Sequence, residues 1–307
     1  MGIIEAIVQG VVQGLTEFLP VSSSGHLALS QHILGVTENN LFFDIMLHLG
    51  TLIAVLAVYY KLVLRLIVAF FSMIGDIFTG KFKWNKLNHD KRLVIMLIIG
   101  LVPLFCLFIP IPGLGLNLKD VAENFANSGN LLVVGLALLA TSGLLTLGIK
   151  LNKQQAAQSR GRGRAGKTDF TVADSLYVGF TQLAAAIFPG LSRSGSTLAM
   201  GLMRGISKQR ALDYSFILAI PSILAAALLE LKDVEVSAMG DDLLPLIIGM
   251  VVSAIVGFLA IKLFKWLLAT DKMSVFVWYT FILGTVTIVV NIIESIRGVN
   301  LFTGAAL

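Results

Sequence analysis

Apolar runs of nearly membrane-spanning length recur from one end of this chain to the other. Leu41–Tyr60, Leu93–Ile111, Leu131–Ile149, Leu243–Ile261 and Val275–Ile293 each approach the ~20 residues that a helix needs to cross a bilayer. Hydrocarbon leaves few options, because every backbone N–H and C=O must be satisfied within the protein. Runs this long without strict alternation of apolar and polar residues are helices. Only 13% of the 307 residues are charged, against about 25% in a soluble domain, too few to cover a water-facing surface of this size. The expected class is an all-α polytopic membrane protein. Its first apolar segment reads as retained, since no small-residue cleavage site follows a basic start.

Lys and Arg in short loops mark the cytoplasmic side. The 76–92 loop holds Lys81, Lys83, Lys86, Lys91 and Arg92, with Lys61 and Arg65 just before it, and six basic residues lie between Lys150 and Lys167. Both loops are expected inside. The 112–128 loop sets Lys119 against Asp120 and Glu123, and 230–242 sets Lys232 against Glu230, Asp233, Glu235, Asp241 and Asp242; both are expected outside. Lys262, Lys265 and Lys272 bring the chain back in. The basic run Arg160, Arg162, Arg164, Lys167 sits between apolar segments and reads as a cytoplasmic loop, so no nucleic-acid partner is expected. Cys106 is the sole cysteine, which rules out an internal disulfide and a cysteine metal cluster.

Two stretches break this alternation. Residues 170–203 follow a cytoplasmic loop and are followed by basic Arg204, Lys208 and Arg210, so they must enter the membrane and turn back. The turn falls at Phe188-Pro189-Gly190, before Ser192, Arg193, Ser194, Gly195, Ser196 and Thr197. In the first 40 residues Phe18-Leu19-Pro20 precedes Val21, Ser22, Ser23, Ser24, Gly25 and His26 in the same way. Proline and glycine stop helices, and broken backbone at membrane depth is tolerated only under cover of protein or water. The expected count is six transmembrane helices plus two re-entrant helical hairpins, about 1–40 and about 170–203, entering from opposite faces.

Sliding the chain by 169 positions puts Gly10 on Gly179, Gln13 on Gln182, Pro20 on Pro189, Ser23 on Ser192, Leu29 on Leu198 and Asp44 on Asp213. This predicts an inverted-topology internal repeat within a single integral membrane domain, 1–307. Residues 1–150 form the first copy, 170–307 the second and 150–169 a basic cytoplasmic linker. Inverted repeats place discontinuous helices near the midplane, where their ends face a polar ligand.

The polar residues at the breaks then carry the chemistry. Glu5, Gln9, Gln13 and Glu17 lie four apart on one helix face. Glu5 and Gln9 read as a packing stripe, whereas Glu17 stands just before Pro20 and close to Ser23 and His26. Ser22, Ser23, Ser24 and Gly25 offer hydroxyl and backbone N–H groups to an anion, one serine also serving as a helix cap. His48, four residues after Asp44, is expected to order spans by hydrogen bonding toward the hairpin, and His32 and His89 to lie at interfaces or in loops. Arg193, set among Ser192, Ser194, Gly195, Ser196 and Thr197, needs an anion or a carboxylate as partner; a substrate-free site is expected to show it paired with Glu17 or an aspartate. Its planar fork suits phosphate. Carboxylate, hydroxyl and imidazole on one break, and guanidinium and hydroxyls on the other, suit phosphoryl transfer, which depends on positioning and charge neutralisation. No P-loop, Rossmann glycine pattern or His-Glu-x-x-His helix competes.

The runs Gln13-Gly14-Leu15-Thr16-Glu17-Phe18-Leu19-Pro20, Val21-Ser22-Ser23-Ser24-Gly25-His26 and Pro189-Gly190-Leu191-Ser192-Arg193-Ser194-Gly195-Ser196-Thr197 resemble those of bacterial undecaprenyl-diphosphatases of the bacitracin-resistance type, over essentially the whole chain. The resemblance implies hydrolysis of undecaprenyl diphosphate, a C55 polyprenyl diphosphate, to undecaprenyl phosphate and inorganic phosphate, which recycles the lipid carrier for peptidoglycan and other envelope polymers. It implies a multi-pass protein of the bacterial cytoplasmic (inner) membrane, an active site facing the periplasmic or outer side, and a divalent cation, Mg2+ or Ca2+. By position, Glu17 matches the second acidic residue of the family's acid-rich motif, Ser23 and His26 its serine and histidine, and Arg193 the arginine of its proline-glycine-serine-arginine motif. The first acidic position is Gln13 here, so Glu17 and the amide oxygen of Gln13 are the expected cation ligands.

Three routes stay open from sequence: Ser23 as nucleophile with His26 taking its proton, His26 as nucleophile, or His26 as base for direct attack by water. A transporter or flippase of polyprenyl phosphate on the same inverted repeat is the alternative function. Gly249-Met250-Val251-Val252-Ser253 could pack spans within one chain or between two, which leaves a homodimer open.

Overall fold

The computed structural model describes residues 2–35, 41–113, 115–127, 130–160, 166–231 and 243–306. Glu38, Arg162, Arg164 and the acidic stretch from Lys232 to Asp242 lie outside the described residues.

The chain is helical throughout, and no β-sheet forms among the described residues. The order is α1 (Ile3–Phe18), α2 (Ser23–Leu34), α3 (Leu41–Phe78), α4 (His89–Leu101), α5 (Leu118–Asn127), α6 (Leu131–Arg160), α7 (Val172–Ile187), α8 (Arg193–Met203), α9 (Lys208–Glu230), α10 (Leu243–Ala269) and α11 (Ser274–Arg297). Among the described residues, six segments are long and apolar enough to cross a membrane: Phe42–Phe78, His89–Phe108, Leu131–Gln158, Lys208–Glu230, Leu243–Ala269 and Ser274–Arg297. This is an all-α polytopic membrane protein.

Several boundaries differ from those expected. The span placed at Leu41–Tyr60 continues to Phe78, bending at Tyr59, which leaves helical geometry (φ −108°, ψ 16°). Lys61 and Arg65 do not end it because both lie on its exposed side, where long basic side chains carry their charge away from an apolar stem. The segment Leu93–Ile111 splits, since Pro103 converts the α4 helix into a 3-10 stretch, Val102–Phe108. The 112–128 loop contains α5, started by a reciprocal pair in which Asn117 N donates to Asp120 Oδ2 (2.8 Å) and Asp120 N to Asn117 Oδ1 (3.0 Å). Helix α6 runs ten residues into the expected linker, to Arg160. It is anchored there by Asn152 Nδ2 on Ile206 O (3.2 Å) and Gln155 Nε2 on Met203 O (3.0 Å).

The basic segments share one end of the assembly. Lys208 pairs with Asp271, as does Lys153 at 3.6 Å, and His89 Nδ1 lies 3.1 Å from Asp169. Lys167 N donates to Gly205 O (3.0 Å), so the entry to α7 meets the exit from α8. Helix α2 likewise folds back along α1, with Ser30 Oγ donating to Gln9 Oε1 (3.0 Å).

Helices α1 and α3 both pack closely on α10 where side chains are missing. A Cβ on Gly10 would stand 2.7 Å from Gly249 O, one on Gly14 2.8 Å from Ser253 O, and one on Gly50 against Met250 O. Ser253 Oγ completes the seam by donating to Leu47 O at 2.8 Å. The stretch Gly249–Ser253 is therefore packed within the chain.

Candidate active site

Both short helix pairs break for the same local reason. Leu19 (φ −66°, ψ 145°) and Phe188 (φ −105°, ψ 104°) are extended, the conformation imposed on a residue that precedes proline. A serine then restarts each helix: Ser22 Oγ accepts from Gly25 N and Ser192 Oγ from Gly195 N, both at 3.1 Å. The two caps stand 170 positions apart whereas the prolines stand 169 apart, a one-residue slip at the break. It places Ser23 and Arg193, rather than Ser23 and Ser192, at the first position of their helices.

The breaks are stitched to each other. Gly190 N donates to Ser24 Oγ (3.2 Å), and Ser194 Oγ donates to Leu19 O (3.0 Å). Ser192 N donates to Thr141 Oγ1 on α6 (3.0 Å). Gly190 has φ +91°, and a Cβ there would meet Val134 O at 2.9 Å, so only glycine lets the second break sit this close to α6. The N-termini of α2 and α8 thus lie beside one another, each the positive end of a helix dipole.

Glu17 is the hub. Its buried carboxylate accepts from Gln13 Nε2 (3.0 Å) and Ser23 Oγ (2.6 Å) at Oε2, and from Arg193 Nη2 at Oε1. His48 Nε2 stands 3.8 Å from the same Oε2, so the histidine expected to order spans reaches the first break. Two buried atoms of this cluster have no hydrogen-bond partner among the described residues: Gln13 Oε1, an acceptor, and Arg193 Nη1, a donor. A buried guanidinium N–H left without an acceptor is costly. A phosphoryl oxygen would satisfy it.

His26 does not face Ser23. Its Nδ1 contacts Ser22 O (2.7 Å) and its Nε2 contacts Tyr279 Oη on α11 (2.7 Å). The Ser23 hydroxyl is hydrogen-bonded to the Glu17 carboxylate instead. Several hydroxyls placed by sequence in substrate binding are instead used to build the break. Ser22 and Ser192 are caps, Ser196 Oγ donates to Ser192 O, and Thr197 Oγ1 bonds Arg193 O (2.8 Å) and Ser215 Oγ (2.6 Å). Gly25 packs closely on the second break, where an added Cβ would stand 3.2 Å from Gly190 Cα. Ser23, Ser24, His26 and Arg193 keep access to solvent.

No group of three His, Cys, Asp or Glu residues able to hold a metal occurs among the described residues. The oxygens of Glu17, Gln13 and Ser23 nevertheless form a small hard-donor set. That fits a cation which takes the rest of its shell from water and phosphate, as Mg2+ commonly does. The unpartnered Gln13 Oε1 is the feature that fits best.

Three neighbours escaped the sequence. Tyr279 and Thr141 come from helices remote in the chain, and Ser215 sits in an apolar span. The four-residue step from Ser192 to Ser196 is the one signal that could have separated framework hydroxyls from accessible ones.

A profile for the bacitracin resistance protein BacA matches residues 6–286. The chain is 38% identical over 292 residues to an undecaprenyl-diphosphatase of Alkaliphilus metalliredigens, covering 94% of this chain and 98% of that one. It is 39% identical to undecaprenyl-diphosphatases of Methanobrevibacter smithii, over 93% of this chain and 96% of that one, and of Carboxydothermus hydrogenoformans, over 95% and 98%. With the profile spanning nearly the whole length and both breaks within it, the chain belongs to the bacitracin resistance protein BacA family.

Proposed function

We propose that this chain hydrolyses undecaprenyl diphosphate to undecaprenyl phosphate and inorganic phosphate, returning the lipid carrier to cell-wall synthesis. One observation carries the reading: Glu17, Ser23 and Arg193 converge across two helix breaks, with Arg193 Nη1 left unsatisfied in a buried place. The similar proteins bearing the name undecaprenyl-diphosphatase support the substrate.

In this reading α1–α2 and α7–α8 are re-entrant hairpins, and 1–150 and 170–307 are inverted copies joined by the 150–169 segment. The cluster opens to the periplasmic or outer face of the bacterial cytoplasmic membrane. Support comes from the antiparallel course of each pair, the matching proline-then-serine breaks and the gathering of basic segments at one end.

The terminal phosphoryl group enters between the breaks, and Arg193 Nη1 donates to its oxygens while the guanidinium loosens from Glu17. Amides at the start of α2 and α8 add donors aimed at developing charge. Ser23 Oγ attacks the terminal phosphorus and gives its proton to Glu17 Oε2, the acceptor already 2.6 Å away. The bond from terminal phosphorus to bridging oxygen breaks, and undecaprenyl phosphate leaves with that oxygen. Tyr279 Oη then turns away from His26 Nε2, which takes a proton from the water that cleaves phosphoserine; phosphate is released, Ser23 recovers its proton from Glu17, and His26 gives its proton to bulk water. A divalent cation, Mg2+ or Ca2+, held by Glu17 and Gln13, would supply neutralisation of the diphosphate charge when bound.

The test is phosphate release from C55 diphosphate by the purified chain in detergent. Wild type releases phosphate, and Arg193→Ala and Glu17→Ala do not. Wild-type rates in both variants overturn this site. Absence of release by the wild type, with polyprenyl phosphate moving across vesicles instead, makes the chain a transporter.

A further inference from the structure

We propose that Tyr279 is a positioning residue for His26, holding its imidazole in one tautomer at rest and accommodating it again after it gains a proton. This rests on the hydrolytic reading above.

The geometry fixes the protons. Ser22 O can only accept, so His26 Nδ1, at 2.7 Å, carries hydrogen. The same carbonyl receives the His26 backbone N–H at 3.2 Å, so ring and backbone of one residue converge on one oxygen. Ser22 turns that oxygen inward by adopting φ +76°, a conformation that a non-glycine residue holds only when its surroundings enforce it. With Nδ1 committed, the neutral ring has its lone pair on Nε2, and Tyr279 Oη lies 2.7 Å from it. The two rings lie parallel, their planes within 7° and their centroids 5.6 Å apart.

A phenol suits both states of a base. It donates to Nε2 while the ring is neutral, then turns its own hydrogen away and accepts from Nε2–H once the ring is charged. Glu17, His48 and Arg193 crowd the other side of the break, but no hydrogen bond joins any of them to the His26 ring among the described residues. Tyr279 is 44% exposed and rides on α11, which packs along α6. Its hydroxyl therefore reaches the first break from outside both broken pairs. The bland role for such a residue is an aromatic anchor at the membrane interface, for which the phenolic oxygen's contact with His26 would be incidental.

Phosphate release from C55 diphosphate is measured for wild type, Tyr279→Phe, His26→Gln and the double variant. Tyr279→Phe is expected to lower kcat about 10- to 100-fold with KM changed less than about twofold, within the contribution of a positioned base. In the His26→Gln background the same change should cost nothing further. An unchanged kcat, or an equal loss in both backgrounds, overturns the proposal. The 15N shifts of the His26 ring, assigned by difference from His26→Gln, give a reading independent of turnover. Removing the Tyr279 hydroxyl should move the Nε2 resonance toward that of an unbonded imidazole nitrogen, and an unmoved resonance overturns the proposal. A wild type that releases no phosphate but shows this shift would sink the hydrolytic reading alone.

Discussion

Arg193 reaches Glu17 across 176 positions of sequence, and the pair closes the gap between the two helix breaks. The carboxylate is buried and the guanidinium keeps about a fifth of its surface, so the cation can turn to a new partner while the anion stays fixed. The pair is at once a resting lock and the means of recognising a phosphoryl group.

Replacing Arg193 by lysine should therefore be nearly as harmful as replacing it by alanine. Lysine keeps the charge but loses the planar fork that holds a carboxylate and a phosphoryl oxygen together. We expect kcat/KM to fall by about 10²–10³, the usual cost of losing a donor aimed at transition-state charge. The check is phosphate release from C55 diphosphate by Arg193→Lys beside wild type.

Ser23 should be the residue that becomes phosphorylated. Its hydroxyl already donates to Glu17, whereas the His26 ring is held by Ser22 and Tyr279. Rapid quenching with labelled substrate should trap phosphoserine at position 23. Phosphohistidine at 26 would move the nucleophile, and no phosphoenzyme under competent trapping would assign the attack to water.

Gln13→Ala should raise the cation concentration needed for half-maximal activity by more than about tenfold, by removing the unpartnered amide oxygen beside Glu17. Chelation should abolish turnover and added Mg2+ or Ca2+ restore it, since the donor set is all oxygen. Titration of activity against each ion reads this directly.

Gly190→Ala should destabilise the fold by roughly 1–3 kcal/mol, the cost of forcing a side chain into disfavoured backbone geometry. Position 190 has φ +91° and faces Val134 O. A lowered apparent Tm together with lost activity is expected.

Asp271, in the turn between α10 and α11, gives a pH-dependent term. The hydrogen bond from Lys208 holds its carboxyl below the usual carboxylate range, against a smaller opposing effect of burial and with help from the Lys208 and Lys153 charges. Its stabilising contribution is present above its unfolded value, about 3.9, and is lost as pH falls through the lower folded value. Half of the side chain is exposed, so the contribution is small. Asp271→Asn should lower the apparent Tm slightly at neutral pH, with the difference closing in acid.

Legibility followed the range of the forces involved. Breaks at Pro20 and Pro189 are written in local backbone restriction and were readable, as were a serine cap after the first break and the polar face carrying Glu17, whereas the cap at Ser192 was not expected. The Asn117–Asp120 pair that starts α5 is equally local but stands among loop-like charges. Helix α3 ran past Lys61 and Arg65 because exposed basic residues cost little at a helix surface. Tyr279 was not readable at all: 253 positions separate it from His26, and one more tyrosine in an apolar span carries no mark of its partner. Ser196 and Thr197 looked like ligands because composition does not reveal that a hydroxyl bonds the carbonyl one turn back.

The glycine contacts that seat the first helix against the tenth have a consequence for anyone mapping this protein by random mutation. Positions 10 and 14 touch backbone on a neighbouring helix, and growth there by even one methyl would shift the helix that bears Glu17. A survival screen would score those positions as harshly as the acid itself. Intolerance alone will therefore draw a map in which scaffold and reaction centre look alike, and only turnover measured on folded variants can tell them apart.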